Sequence, residues 1–301
     1  MSIKVSVVKC SKYDKELIKK TLLNSLKNID FKIKQGMNVL IKPNLLCPSS
    51  PEKGITTHPI IIEELCKILK KHNSKIFIGD SSSNRTELAL IKCGIKKLSK
   101  YAKIINFDNE ECKNINFKNI ILPIPKIIFD MDLIINISKM KTHLMTDFTL
   151  CIKNLYGCIP GDIKSRLHKT YSNKKKLFDL LLRLHEVIKP KLNIIDGIYG
   201  IEGDGPSTLG RLKKPGLILT SKNAIAIDLV GSKIMGFTSE KIFYDILTKK
   251  KEKIEVLGNG KRVKINSGYP LQKTSALPSG CLMFVEAGQS LFISLVRIES
   301  F

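Results

Sequence analysis

Short runs rich in Ile and Val recur along this chain, separated by segments of helical period, and that alternation is what most restricts its fold. The runs at 3–8, 37–41, 75–78, 103–107, 133–137, 192–195 and 217–219 read as strands. Helical stretches fill most of the gaps. The clearest spans 174–188, where Leu177, Leu181, Leu184 and Ile188 form one stripe and Pro190 acts as a stop. A second starts after Thr57 and His58 with Pro59 at its first position, and a third covers 224–235 and closes at Gly236. The predicted fold is therefore α/β, with mainly parallel sheets and crossover helices. It divides into lobes of about 1–140 and 141–270 around a central cleft. The segment 271–301 is set apart, with two cations, two anions and no Asn. It reads as an appended element or an altered terminus.

Charge narrows the class of ligand. The 301 residues include 51 Lys and Arg against 27 Asp and Glu, a formal excess of +24, and such a field attracts anions. Abundant Ile and Asn accompany the lysines, as an AT-rich coding sequence would impose, so the excess does not by itself name a partner. Nucleic-acid surfaces interleave basic residues with stacking aromatics, yet aromatics are 6% here and Trp is absent. Nucleic acid is accordingly a minor expectation. The eight cysteines contain no C-x-x-C pair, so neither a zinc ribbon nor an iron–sulfur motif is present. The opening residues lack a secretory apolar stretch, and the most apolar run, 281–296, is broken by Glu286, Gly288 and Gln289. Free thiols in a reducing cytoplasm, away from membranes, are expected.

Four polar clusters follow strand candidates directly, at the edge where parallel α/β sheets place their crevice. Lys42-Pro43-Asn44 follows the second strand and leads to Thr57-His58-Pro59 at a helix start, where unpaired N–H groups favour an anion or Thr57 serves as a cap. Gly79-Asp80-Ser81-Ser82-Ser83 follows the third, with Asp80 as metal ligand, base-orienting group or helix cap. Lys139, Lys141 and His143 follow the fifth, then Lys153-Asn154, Pro160-Gly161, Lys164 and His168. This lysine and histidine cluster is the strongest site, since imidazole binds metals or moves protons and a desolvated lysine forms covalent adducts. The last cluster runs from Asp196 to Pro206 with Glu202 and Gly203, and reads as ligand contact or as a tight hairpin.

Taken together, the strings IKPNL (41–45), THP (57–59), GD (79–80), KMKTH (139–143), KNLYGCIPG (153–161), His168, DGIYGIEGDGP (196–206) and AIAIDLVGSKIMGF (224–237) resemble the family called domain of unknown function 362. The resemblance covers about 5–237. It implies a fold and a shared site but no defined reaction. Many such proteins continue into a ferredoxin-type domain with cysteine runs, and this chain departs there: after Gly236 it has only Cys281. By that resemblance a redox role requires a separate electron donor such as a ferredoxin. The spacing of His143, Lys153, Pro160-Gly161 and His168 is also loosely similar to the cofactor site of nickel-pincer lactate racemases.

The resulting expectation is an enzyme acting on a small carboxylate or phosphate compound, with a metal or redox link left open. His143, Lys153, His168 and Asp196 are the catalytic candidates, and His143 and His168 double as metal ligands. Lys42, Asn44, Thr57, His58, Asp80, Lys141, Asn154, Glu202 and Gly203 are the substrate-binding candidates. A non-catalytic carrier of a cluster, metal or electron is the alternative, followed by a nucleic-acid binder. The expectation requires Lys42, His58, His143, Lys153 and Asp196 to line one cavity.

Overall fold

A computed structural model describes residues 2–83, 85–161, 163–171, 173–237 and 253–260, the side chains of residues 168 and 169 excepted. The segment 271–301 lies outside the described residues. The elements run, in order, β1 (Ile3–Lys9), α1 (Lys15–Asn28), β2 (Asn38–Lys42), α2 (Pro59–Lys70), β3 (Lys75–Asp80), α3 (Thr86–Lys92), β4 (Lys103–Asn106), β5 (Cys112–Phe117) and β6 (Ile120–Pro125). There follow β7 (Leu133–His143), β8 (Asp147–Thr149), α4 (Cys151–Asn154), α5 (Ile163–Thr170), α6 (Lys174–Ile188), β9 (Leu192–Glu202), β10 (Arg211–Lys213), β11 (Leu217–Ser221), α7 (Ala224–Ile234) and β12 (Ile254–Leu257). Short polar side chains start several helices: Asp14 accepts from the Leu17 amide, Asn173 from Lys175 and Lys176, and Asn223 from Ala226.

One mostly parallel ten-stranded sheet organises the chain in the order β12-β1-β11-β9-β7-β2-β3-β4, with β8 and β10 as short antiparallel additions to β7 and β9. The run β9-β7-β2-β3-β4 is parallel throughout. Strand β11 is antiparallel to both its neighbours. The expected lobe boundary near residue 140 falls inside β7, and strands from both sides of it share this sheet.

Apolar residues sit on both faces because alternate side chains point oppositely along a strand. Val39, Ile41, Ile135, Ile137, Leu192 and Ile194 face α1, α2 and α3, whereas Leu40, Ile134, Met140, Ile195, Leu217 and Leu219 face α4, α6, α7 and the β5–β6 hairpin. Full burial of each such side chain contributes about 1.5–3 kcal/mol.

Two strands run further than their apolar content suggests. Lys139, Lys141 and Asp196 read as loop residues in sequence, but β7 continues to His143 and β9 to Glu202. A register shift between Lys139 and Lys141 marks a bulge in the β7–β9 pairing. Both lysines are fully buried, so polarity here reflects internal partners rather than solvent.

Candidate functional site

The chain reverses direction across the sheet at β2, which has β3 on one side and β7 on the other. A reversal of this kind splays the connections at the carboxyl ends of the strands and leaves a crevice. A pocket of about 140 Å³ opens there, lined by Lys42 and Asn44 after β2, Asp80 to Ser83 after β3, Lys141 and His143 on β7, and Lys153, Asn154, Tyr156, Gly157 and Lys164 from the segment that follows. A cavity of roughly 150 Å³ admits benzene, so the inner chamber suits a small compound.

Among the described lining residues stand four lysines and a single carboxylate. Lys42, 1% exposed, donates to Asp80 Oδ1 at 2.8 Å and to the Pro43 carbonyl at 2.8 Å. Asp80 also accepts from the amides of Leu45 and Ser81. Lys141 donates to Asn44 Oδ1 at 2.7 Å and to the Ile55 carbonyl at 2.6 Å. Lys164 donates to the carbonyls of Ser81 at 2.8 Å and Ser82 at 2.5 Å, and to the Ser81 hydroxyl. Lys153, 6% exposed, differs: its Nζ lies 4.0 Å above the centre of the Tyr156 ring and has no hydrogen-bond acceptor among the described residues.

Burial sets the protonation of these amines, because removing an ammonium from water disfavours its charged form. It lowers Lys141 from 10.5 to about 7, with Lys139 and Lys153 adding repulsion. It lowers Lys153 to about 7, reinforced by Lys164, and lowers Lys164 to about 8, against the pull of Asp80 and Asp108. An anion entering the pocket reverses these shifts.

Gly157 roofs the Lys42–Asp80 pair. A Cβ built there would stand 2.2 Å from Asp80 Oδ1 and 2.8 Å from Lys42 Nζ, so no larger residue fits without displacing the pair. Gly157→Ala should cost about 1–3 kcal/mol in chemical denaturation, and an unchanged denaturation midpoint would contradict this packing.

Behind the pocket runs a chain of carboxamides. Asn44 donates to Asn154 Oδ1 at 2.9 Å, Asn154 to Asn136 Oδ1 at 2.8 Å, and Asn136 to Asn193 Oδ1 at 3.1 Å. Each amide orients the next, and Lys141 caps the series through Asn44. The start of α4 is held from α7: Asp228 accepts the amides of Cys151 and Ile152 at 2.7 and 2.8 Å. That contact fixes the turn carrying Lys153 and Asn154. Burial raises the Asp228 carboxyl to about 7.

Of the residues singled out in the sequence, Lys42, Asn44, Asp80, Lys141, His143, Lys153 and Asn154 meet around the pocket. Asp80 pairs with Lys42 rather than capping α3. His58 and Asp196 do not join them, so the single cavity expected for Lys42, His58, His143, Lys153 and Asp196 is not formed. By strand alternation Lys139 and Asp196 share the face of Ile137 and Ile194, beneath α1 and α2. There Asp196 accepts from Lys139 Nζ at 2.9 Å, the Tyr13 hydroxyl at 2.9 Å and the His58 amide at 3.1 Å. The His58 ring stacks on Tyr13 at 3.8 Å, and burial pushes its pKa down to about 4.

Thr57 links the two regions, accepting from the Asn44 amide and donating to the Ile137 carbonyl. The cap of α2 is His58 Nδ1, which accepts from Ile60, and not Thr57. Glu202 pairs with Lys213 and Arg211 of β10, and Gly203 takes a left-handed φ of 72° with open space about it. Neither lines the pocket. His168 lies on α5, and its side chain is outside the described residues. Lys139, read in sequence as part of the lysine and histidine cluster, joins Asp196 instead, while Tyr13, Asn136, Asn193 and Asp228 were not marked as site residues in the sequence. Their only signal there is a polar residue set within an apolar strand or helix, or, for Tyr13, none.

The described lining of the pocket is basic. Among the described residues no three His, Cys, Asp or Glu side chains converge. His143 Nδ1 already accepts from the Met145 amide at 3.1 Å, Asp80 is taken by Lys42, and the surrounding ammonium groups repel a metal ion.

The model of the family "Domain of unknown function (DUF362)" matches residues 39–233, a span that runs from within β2 to within α7 and holds every pocket residue named above. The chain belongs to the DUF362 family. It is 29% identical over 226 residues to a thylakoid-associated protein of Synechocystis, with 72% of this chain and 68% of that protein covered. Among solved structures, the lactate racemase apoprotein of Thermoanaerobacterium thermosaccharolyticum superposes with a TM-score of 0.48 at 15% identity. The alignment covers 76% of this chain and spans 56% of the racemase. Among the described residues no helix is long and apolar enough to cross a membrane.

Proposed function

We propose that this DUF362 protein is an enzyme that binds a small carboxylate or phosphate compound in the lysine pocket, and that Lys153 moves a proton on the bound ligand. The observation that carries this reading is the buried Lys153 amine, facing a small cavity with no acceptor of its own beside three lysines that all have one. An amine poised near pH 7 accepts and returns protons efficiently. Lys42, Lys141 and Lys164 supply positive charge where water is scarce and charge pairs are strong. Asn44 and Asn154 offer oriented amide groups at the wall.

Titration calorimetry with inorganic phosphate, malonate and glycolate at pH 7.5 tests this. An anion stabilises the ammonium forms, so binding should take up roughly one to two protons per ligand, shared among Lys141, Lys153 and Lys164. The apparent enthalpy should then change with the ionisation heat of the buffer, and affinity should fall above pH 8. Lys153→Met should keep binding yet lose its share of the uptake. Absence of binding across the panel, or binding whose heat ignores the buffer, would refute the reading.

A further inference from the structure

The four pocket lysines are not equivalent, and the difference lies in what each must donate. Lys42, Lys141 and Lys164 each serve at least two oxygen acceptors. A neutral amine keeps two N–H groups, so Lys164 would give up one of its three bonds, while in Lys42 and Lys141 both N–H groups would be spent on the existing acceptors and would dictate where the lone pair points. Lys153 has no such commitment among the described residues and rests on the face of Tyr156, so its lone pair becomes available without breaking a hydrogen bond. The backbone that carries it is also anchored, since Asp228 holds the first amides of α4. A desolvated primary amine beside three cations is the arrangement that attacks the carbonyl of an anionic compound.

Resting on the pocket reading above, we propose that Lys153 captures a small carbonyl-bearing anion, such as a 2-oxo acid or an aldehyde phosphate, as an imine. The Nζ lone pair forms the new C–N bond while the carbonyl π pair moves to oxygen and takes a proton, giving a carbinolamine. Nitrogen then releases its protons as the C–O bond breaks, so that amine and carbonyl become imine and one water. Neither oxidant nor metal is required. The anionic end of the compound faces Lys42, Lys141 and Lys164, which places its carbonyl toward the remaining amine.

The preference over surface lysines is large. At pH 7 an ordinary lysine with pKa near 10.4 is free amine in roughly 1 molecule of 2,500, whereas a group near 7 is about half free, an advantage on the order of 10³. The test uses the full-length protein at pH 7 with pyruvate or glycolaldehyde phosphate and sodium cyanoborohydride, read by intact mass and peptide mapping. One adduct per chain should form, at Lys153, at least about 10²-fold faster than at any surface lysine and in preference to Lys141, whose amine is engaged by Asn44 and Ile55, and excess inorganic phosphate should suppress it. Lys153→Arg should abolish the single adduct while still binding phosphate in calorimetry. The two carbonyl compounds separate a carboxylate-bearing from a phosphate-bearing substrate. Phosphate binding with no adduct, or with adducts scattered over other lysines, overturns the imine and leaves the anion pocket standing. Loss of phosphate and malonate binding as well overturns the pocket reading and the imine with it.

Discussion

Between pH 7 and pH 8.5 the ligand-free protein should grow more stable, by up to about 1.4 kcal/mol per pH unit for each of Lys141 and Lys153. Both have folded-state values near 7, well below the value of about 10.4 expected in the unfolded chain. In this window the unfolded chain binds more protons, so stability rises with pH. Below pH 7 both states are protonated and the penalty of burying the charge is fully present. Lys164, at about 8, adds to the rise near its upper end. The window closes above about pH 8.5 because buried thiols act oppositely: burial raises Cys10 to about 11 and Cys66 and Cys158 to about 12, so unfolding there releases protons. Denaturant titrations at pH 7, 7.5, 8 and 8.5 should show the increase, and Lys153→Met should flatten it by one lysine's share while stabilising the protein most at pH 7. A flat or falling profile in the wild type would mean that these amines are not desolvated as described.

Asp196→Ala should destabilise the fold by about 3–5 kcal/mol while leaving phosphate affinity near the wild-type value below the new melting temperature. Both partners of the Lys139–Asp196 pair are fully buried, and the substitution strands the Lys139 ammonium together with the Tyr13 hydroxyl and the His58 amide. Breaking one side of a buried pair is costlier than removing both, so Lys139→Met combined with Asp196→Leu should recover a large part of the loss. Differential scanning calorimetry measures the first effect and phosphate titration the second. A selective collapse of phosphate binding in a stably folded Asp196 variant would bring this cluster into the ligand site.

The two buried pairs illustrate how far residues can be read without coordinates. Lys42, Asp80 and Lys141 were visible because each stands out at the end of an apolar strand run, and Lys153 and Asn154 because they stand in a glycine-bearing polar stretch further along the chain. Asp196 stood out in the same way and met a different fate. Its partners, Tyr13 and His58, lie 183 and 138 residues away in the chain, and nothing local shows which face of the sheet it will occupy. Lys139 and Lys141 are two positions apart on one strand, yet one completes the ion pair under α1 and α2 and the other lines the pocket. The bulge between them is a property of strand pairing, and periodicity alone does not disclose it.

What the amino-acid order settled by itself is the α/β architecture, because buried parallel strands need continuous Ile and Val runs and crossover helices need a 3.6-residue stripe, and both are local patterns. It also settled that basic and amide side chains gather at strand ends. Which of them share a cavity was decided by the sheet order, with β2 between β3 and β7, since only that order brings the ends of three strands to one crevice. The distinctive chemistry of Lys153 was likewise a tertiary outcome: lysines have nearly the same pKa in water, burial lowers Lys141 and Lys153 alike, and the lack of an acceptor among the described residues then separates Lys153 from Lys141.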